Sequence, residues 1–293
     1  MTKSESALDL WVTETHRGVV GLRFKVRKTL FEGRSPYQQI HVVETVDHGR
    51  MLLNDGMVML SERDEFVYHE MIAHVPLAVH PLPKRVLIVG GGDGGTAREV
   101  LKHPSIEHVK LVEIDEMVVS ASREYLPSLS VAFDDPRLEV TFDDGVHFVA
   151  HTDHTFDVVI VDSTDPVGPA EPLFDRLFYK NVSRILTPGG IMVTQAESPY
   201  YDHIIQKTML TNQRPFFNRL HLYLFSNLTY PGGLWGFGLG SKRFCPVGDF
   251  DAERFERAAI VTRYYTPQIH HAAFALPAFV EQNLKGVIDT VGK

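Results

Sequence analysis

The run VLIVGGGDGGTAREV at residues 86–100 constrains this chain more than any other stretch. A short apolar strand enters a loop of Gly90, Gly91, Gly92, Asp93, Gly94 and Gly95, then leaves as a helical pattern. Gly90, Gly92 and Gly95 satisfy G-x-G-x-x-G, in which missing side chains let the backbone approach a ligand and turn sharply into a helix. A merely structural turn needs fewer glycines. Such a unit belongs to a parallel sheet, and the downstream sequence agrees. Short apolar runs at 109–112, 138–142, 156–161 and 191–194 alternate with helical patterns such as 96–102 and 115–125, as expected of strands covered on both faces. Two later runs, 219–225 and 234–240, flank a Tyr-Pro-Gly-Gly turn and read as an antiparallel hairpin closing the sheet.

Before residue 62 the pattern differs. Segments 22–30, 38–46 and 50–60 mix apolar and polar residues at strand spacing, punctuated by Gly33, by Asp47 to Gly49 and by the Asn54-Asp55-Gly56 turn signal. Residues 65–79 then carry Phe66, Met71, Ile72 and Val75 at helical spacing, with Pro76, Pro81 and Pro83 limiting continuation. The expected fold is α/β. A small N-terminal antiparallel β domain (1–62) precedes a doubly wound α/β domain (63–293), and 293 residues suffice for both.

The acidic residues indicate the ligand. Glu113 ends the strand in LVEID about 20 residues beyond the glycine loop, where a carboxylate accepts hydrogen bonds from ribose hydroxyls. Glycines and Glu113 together imply a nucleoside, either a dinucleotide or a relative of S-adenosylmethionine. Asp93 favours the second, because a pyrophosphate would meet a carboxylate inside a loop that should offer only N–H groups. A third strand delivers Asp162 and Asp165 in VIVDSTDP, suited to act as a base and an ammonium anchor, although Asp at strand ends and Asp-Pro turns are also common structural devices. Asp93, Glu113, Asp144, Asp162 and Asp165 all fall at or just after strand ends of one sheet, so one crevice collects several negative charges. Such crowding demands cations.

Composition narrows which cations. Lys plus Arg total 29 against 37 Asp plus Glu, a formal charge of −8, which argues against nucleic acid or an anionic membrane as partner. No metal site is expected, since His69 and His74 are five apart, miss H-E-x-x-H and splay around their helix. Organic polycations fit both the crevice and the net charge. The start, MTKSESALDLW, lacks the apolar core of a signal peptide, no run is long enough to span a membrane, and the single cysteine, Cys245, cannot form an internal disulfide. A reducing cytoplasm is the expected location.

At this point the sequence resembles the polyamine aminopropyltransferases of the spermidine synthase type over nearly its whole length. The resemblance runs through YQQI at 37–40, LNDGMVMLSERDEFVYHEMIAHVPL at 53–77, the glycine loop through LVEID at 86–115 and FDDPRLEVTFDDG at 133–145. It continues through FDVVIVDSTDPVGPAEPLF at 156–174, TYPGG at 229–233 and YYTPQIHHAAFALP at 264–277. The resemblance implies that the larger domain is a Rossmann-like sheet of the S-adenosylmethionine-dependent methyltransferase type, although a plain methyltransferase would share the glycine loop and Glu113 but not the rest.

The resemblance implies transfer of an aminopropyl group from decarboxylated S-adenosylmethionine, a co-substrate, to putrescine, giving spermidine and 5′-methylthioadenosine, with no prosthetic group. It implies that Gln38, Glu113, Asp144, Gly145 and Pro169 hold the nucleoside, and that Asp93 holds the aminopropyl ammonium. Asp162 is the implied proton acceptor; Asp165, Tyr68, His69 and Tyr230 would meet the acceptor amine, the tyrosines offering cation-π faces. Trp11, near a flexible terminus, and Gln195 and Glu197 receive no role. The turn-rich loop after Asp165 reads as a lid, and the family implies a homodimer or higher homo-oligomer. Alternatives are another acceptor (cadaverine, agmatine or spermidine), an NAD-dependent oxidoreductase, which leaves Asp93 and the 162–169 motif unexplained, or a non-catalytic nucleoside-binding protein.

Overall fold

The computed structural model describes residues 9–290. Five antiparallel strands come first, paired in chain order: β1 (Trp11–His16), β2 (Val20–Arg34), β3 (Gln39–Thr45), β4 (Arg50–Asn54) and β5 (Met57–Ser61). The Asn54-Asp55-Gly56 turn divides β4 from β5, with Asp55 and Gly56 at φ of +50° and +82°. Strand β1 was not expected. Trp11, assigned to a flexible terminus, sits in it opposite Lys25, with the Arg23 guanidinium 4.8 Å from its ring centroid.

Helix α1 (Glu65–Val79) follows, its side chains almost all buried. Pro76 lies inside it and costs one backbone bond without ending it; its carbonyl accepts the His80 N–H at 3.0 Å. The second unit then alternates β6 (Arg85–Gly90), α2 (Gly95–Leu101), β7 (His108–Glu113), α3 (Glu116–Tyr125), α4 (Pro127–Ser130), β8 (Leu138–Phe142), α5 (Gly145–His151), β9 (Phe156–Asp162), α6 (Arg176–Ile185), β10 (Leu186–Gln195) and α7 (His203–Gln213). The hairpin β11 (Arg219–Ser226) and β12 (Leu234–Ser241) completes a sheet of order β11-β12-β10-β9-β6-β7-β8. Pairs among β6 to β10 are parallel, β11 and β12 pair antiparallel as the Tyr-Pro-Gly-Gly turn suggested, and β12 joins β10 antiparallel. Three short helices, α8 (Ala252–Arg257), α9 (Pro267–Ala273) and α10 (Ala278–Asn283), finish the chain.

The central strands are apolar throughout because both faces are covered. Val86 and Ile88 pack with Met71, Ile72 and Ala97 from α1 and α2; Leu87 and Val89 pack with Val149, Phe178 and Met209 from α5, α6 and α7. The same parallel register aligns the carboxyl ends, with Gly90 beside Asp162 and Glu113 beside Phe142. No helix among the described residues is long and apolar enough to cross a membrane.

Candidate active site

A cavity of about 420 Å³ opens at the carboxyl ends of β6, β7 and β9, roofed by residues of the N-terminal sheet. Its lining includes Gln38, Tyr68, His69, Asp93, Glu113, Asp144, Gly145, Asp162, Pro169 and Tyr230. Asp165 is not on this wall.

One end suits a nucleoside. Glu113 is buried, accepting the Gly92 N–H at 3.1 Å and the Asp115 N–H at 2.9 Å. Burial outweighs these bonds and pushes its carboxyl up to about 7. A side chain on Gly92 would press into Glu113, its Cβ only 2.8 Å from Oε2, so glycine is required there for the carboxylate itself. Asp115 receives the Gln38 amide at 3.0 Å and the Ser35 hydroxyl at 2.6 Å, which fixes Gln38 from β3's approach against α3. Asp144 caps α5 by accepting the Val146 N–H at 2.7 Å.

The other end is acidic and aromatic. Asp162 accepts the Tyr68 hydroxyl at 2.8 Å on Oδ1 and the Thr96 hydroxyl at 2.6 Å on Oδ2, both neutral donors. Burial, then the nearby Asp93 charge, pushes its carboxyl up from the usual range. Asp93 behaves oppositely. Burial opposes its ionisation, but His69, with Nε2 3.3 Å from Oδ1, and the Gly95 N–H at 2.7 Å hold it low. Both contacts fall on Oδ1, leaving Oδ2 for a ligand. His69 also meets Glu65 at 2.6 Å. Burial pulls the imidazole down, yet Asp93 and Glu65 outweigh it and raise it to about 10, so His69 is an imidazolium. Arg98 closes the chain on Glu65 at 2.9 Å. The His69 ring lies flat against the loop backbone where any Cβ on Gly95 would stand. His69, Asp93 and Asp162 have ligand-type atoms within 4.8 Å of one another.

Tyr230 faces Tyr68 edge-on, with ring centroids 5.9 Å apart, and donates to the Met59 carbonyl at 2.9 Å. Asp64, just before α1, places it: one carboxylate oxygen accepts the Leu228 and Thr229 N–H groups and the Thr229 hydroxyl at 2.9 to 3.0 Å.

Asp165 lies instead beside Glu197, in a second acidic group next to Thr164. Gln195 reaches both the Thr164 carbonyl at 3.4 Å and Glu197 at 2.9 Å. Burial and the Asp202 charge push Asp165 up to about 6, and burial and Asp165 push Glu197 well above the usual range. Glu14 of β1 joins them, pushed up to about 7 by burial while accepting the Val58 N–H. Sequence reasoning missed Glu14, Asp64, Glu65, Thr96 and Arg98. Thr96 and Arg98 stood inside the glycine-loop motif, and Asp64 and Glu65 inside the S-E-R-D-E run, so position in those motifs was the available signal; Glu14 offered none.

Comparison with known proteins places this geometry. Residues 65–251 match the family described as Spermine/spermidine synthase domain, and residues 10–62 match Spermidine synthase tetramerisation domain. The polyamine aminopropyltransferase of Moorella thermoacetica is 46% identical over 276 residues, covering 94% of this chain and 96% of that protein. That of Bacillus subtilis is 46% identical over 277 residues, covering 94% and 99%. A solved spermidine synthase in complex with the transition state analogue AdoDATO superposes with a TM-score of 0.92, and the spermidine synthase from Thermotoga maritima with 0.91. Each is 42% identical and covers 94% of both chains.

Proposed function

Because the chain belongs to the spermine/spermidine synthase family and is an aminopropyltransferase, we propose that it transfers the aminopropyl group of decarboxylated S-adenosylmethionine to putrescine, with Asp162 as proton acceptor. The observation that carries this reading is the contrast around Asp162. It is a carboxylate with a raised pKa, held in place by neutral donors, beside an Asp93 that already has its own cation. What Asp162 lacks, an amine supplies.

Glu113 and Gln38 take the ribose, and the Asp144–Gly145 turn and Pro169 line the base pocket. Asp93 Oδ2 takes the aminopropyl ammonium. Intact S-adenosylmethionine would bring a carboxylate against Asp93, a like-charge contact that favours the decarboxylated donor. An alkylamine has a pKa of about 10.4 and is mostly ammonium at neutral pH. A raised Asp162 narrows the gap for removing that proton. The freed lone pair attacks the carbon attached to sulfur, the C–S bond breaks toward sulfur, and methylthioadenosine leaves as a neutral thioether, so departure needs no acid. The closed pocket and fixed donor supply proximity. The remote ammonium of the diamine is directed toward Asp165 and Glu197, acidic side chains next to Thr164 on the cavity wall. Tyr68 and Tyr230 provide apolar walls with π-faces between the two ends.

The test is an acceptor panel of putrescine, cadaverine, agmatine and spermidine, scored by methylthioadenosine release. Putrescine should turn over fastest with the decarboxylated donor, and intact S-adenosylmethionine should be inert. Methyl transfer from the intact donor would overturn the role of Asp93. Residues 163–174 form the cavity's outer rim, with Thr164, Val167, Gly168 and Pro169 lining it, and act as a lid. Hydrogen exchange there should slow with methylthioadenosine bound; equal protection would remove the lid. The match of residues 10–62 to a tetramerisation domain supports assembly as a homo-oligomer. With one cysteine and a polycation substrate, the cytoplasm is the compartment this reading requires.

A further inference from the structure

Helix α5 carries His147 and His151 one turn apart, and both rings leave the same exposed face. Their centroids are 4.4 Å apart, with planes tilted by 37°. Nδ1 of His151 faces the His147 carbonyl oxygen at 2.8 Å. A carbonyl only accepts, so His151 carries its proton on Nδ1 and leaves the Nε2 lone pair free. Nδ1 of His147 faces Asp143 Oδ2 at 3.3 Å, and the carboxylate selects the same tautomer. Each ring therefore has its inner nitrogen anchored to an oxygen and its outer nitrogen available, the support that metal-bound imidazoles ordinarily have.

We propose that His147 and His151 chelate a divalent transition ion through their Nε2 atoms, at a site separate from the aminopropyl-transfer cavity. Two histidines at i and i+4 on a helix present two nitrogens to one ion. Imidazole selects zinc, nickel or copper, whereas magnesium and calcium take oxygen ligands. Water completes the coordination shell on this open face. The site has a structural consequence. Asp144 and Gly145, at the first turn of the same seven-residue helix, line the nucleoside end of the cavity. An ion on the last turn clips a helix too short to be rigid alone, and so stiffens that wall.

The intact chain, stripped with chelator, is titrated with zinc by calorimetry and with copper(II) by electron paramagnetic resonance. The copper spectrum should show two imidazole nitrogens. His147→Ala and His151→Ala should each remove this binding event, and Asp143→Asn should weaken it about tenfold; both histidines are exposed, and circular dichroism checks that the variants remain folded. Unchanged stoichiometry and affinity in either alanine variant overturns the site. So does an ion that putrescine displaces, since that ion would be held by His69, Asp93 and Asp162 instead. The result with the alanine variants does not depend on which amine the enzyme accepts.

Discussion

Two groups of buried and half-buried carboxylates meet the cost of withdrawing charge from water in different ways. In the glycine-loop group, Asp93 and Glu65 have resident cations: His69 bridges them and Arg98 closes the end. Both stay ionised below the usual range although burial opposes it. In the second group, the Arg17 cation and the His16 ring both go to Asp202, at 2.6 and 2.9 Å. Glu14, Asp165 and Glu197 are left without one, and all three are pushed upward. A carboxylate with a built-in counterion is a fixed part of the scaffold. One without it is more easily protonated, and a cation that arrives restores its charge. Asp162, with neutral donors only, belongs chemically to the second kind while sitting in the first group. That position, between a finished ion-pair chain and an unfinished one, is what a proton acceptor for a diamine needs.

The sharpest way to break this contrast is to remove the charge that awaits a partner. Asp162→Asn keeps one hydroxyl donor on its amide oxygen, makes the other hydroxyl an acceptor of its NH2 group and cannot accept a proton, and kcat should fall by about a thousandfold while methylthioadenosine binding is retained. Steady-state turnover and calorimetry separate the two, and a variant with near-normal kcat would end the assignment. Glu197→Gln attacks the other group. A charge-assisted hydrogen bond to a buried ammonium is worth about 2 kcal/mol, so KM for putrescine should rise about thirtyfold with KM for the donor little changed. A rise confined to the donor would move that group out of the acceptor path.

Changing the finished chain should have a smaller effect. His69→Gln keeps a hydrogen bond to Asp93 and loses the cation, and KM for the donor should rise about tenfold. Stability provides an independent check. Because folding raises His69 from 6.5 to about 10, its contribution is fully present below pH about 6.5, declines as pH rises, and is gone above about 10. The difference in Tm between wild type and His69→Gln should therefore shrink steadily over that window. A constant difference would mean that the imidazolium is not what the pair contributes.

Of the first group and the cavity wall beside it, Asp93, Asp162 and Glu113 were legible in the sequence, because alternating strands and helices fix where a parallel sheet ends and these stand at those ends, while Glu65 and Arg98 were not. The second group was not, because its members come from elements with no local relation. His16 and Asp202 are 186 residues apart. Strand β1 was hidden by its turn, in which Arg17 and Gly18 both take positive φ, +53° and +70°, where Asn-Gly would have announced a hairpin. Without β1, neither Glu14 nor the setting of Trp11 could be read. Asp165 lies three residues past the strand end, beyond the reach of periodicity, and the loop carries it to Glu197 rather than to the cavity wall. Glu197 itself has φ of +62°, a conformation that sequence does not flag for glutamate.

The mildest perturbation needs no mutation. Glu113 lies at the nucleoside end, has no cation, and is pushed up to about 7 by burial, so in the free protein near neutrality it is a mixture of acid and carboxylate. Ribose hydroxyls donate best to the ionised form, so binding draws the group toward the carboxylate and releases a proton. The sign follows: affinity for methylthioadenosine rises with pH through about 7 and levels off above it. One proton limits the change to tenfold per pH unit, and about a fivefold gain from pH 6 to 8 is expected because the Gly92 and Asp115 N–H groups already favour the charged form. Glu113→Gln should bind more weakly and with a flat profile. If that variant keeps the wild-type slope, the titrating group lies elsewhere, and the nucleoside end no longer belongs with the carboxylates that wait for a ligand.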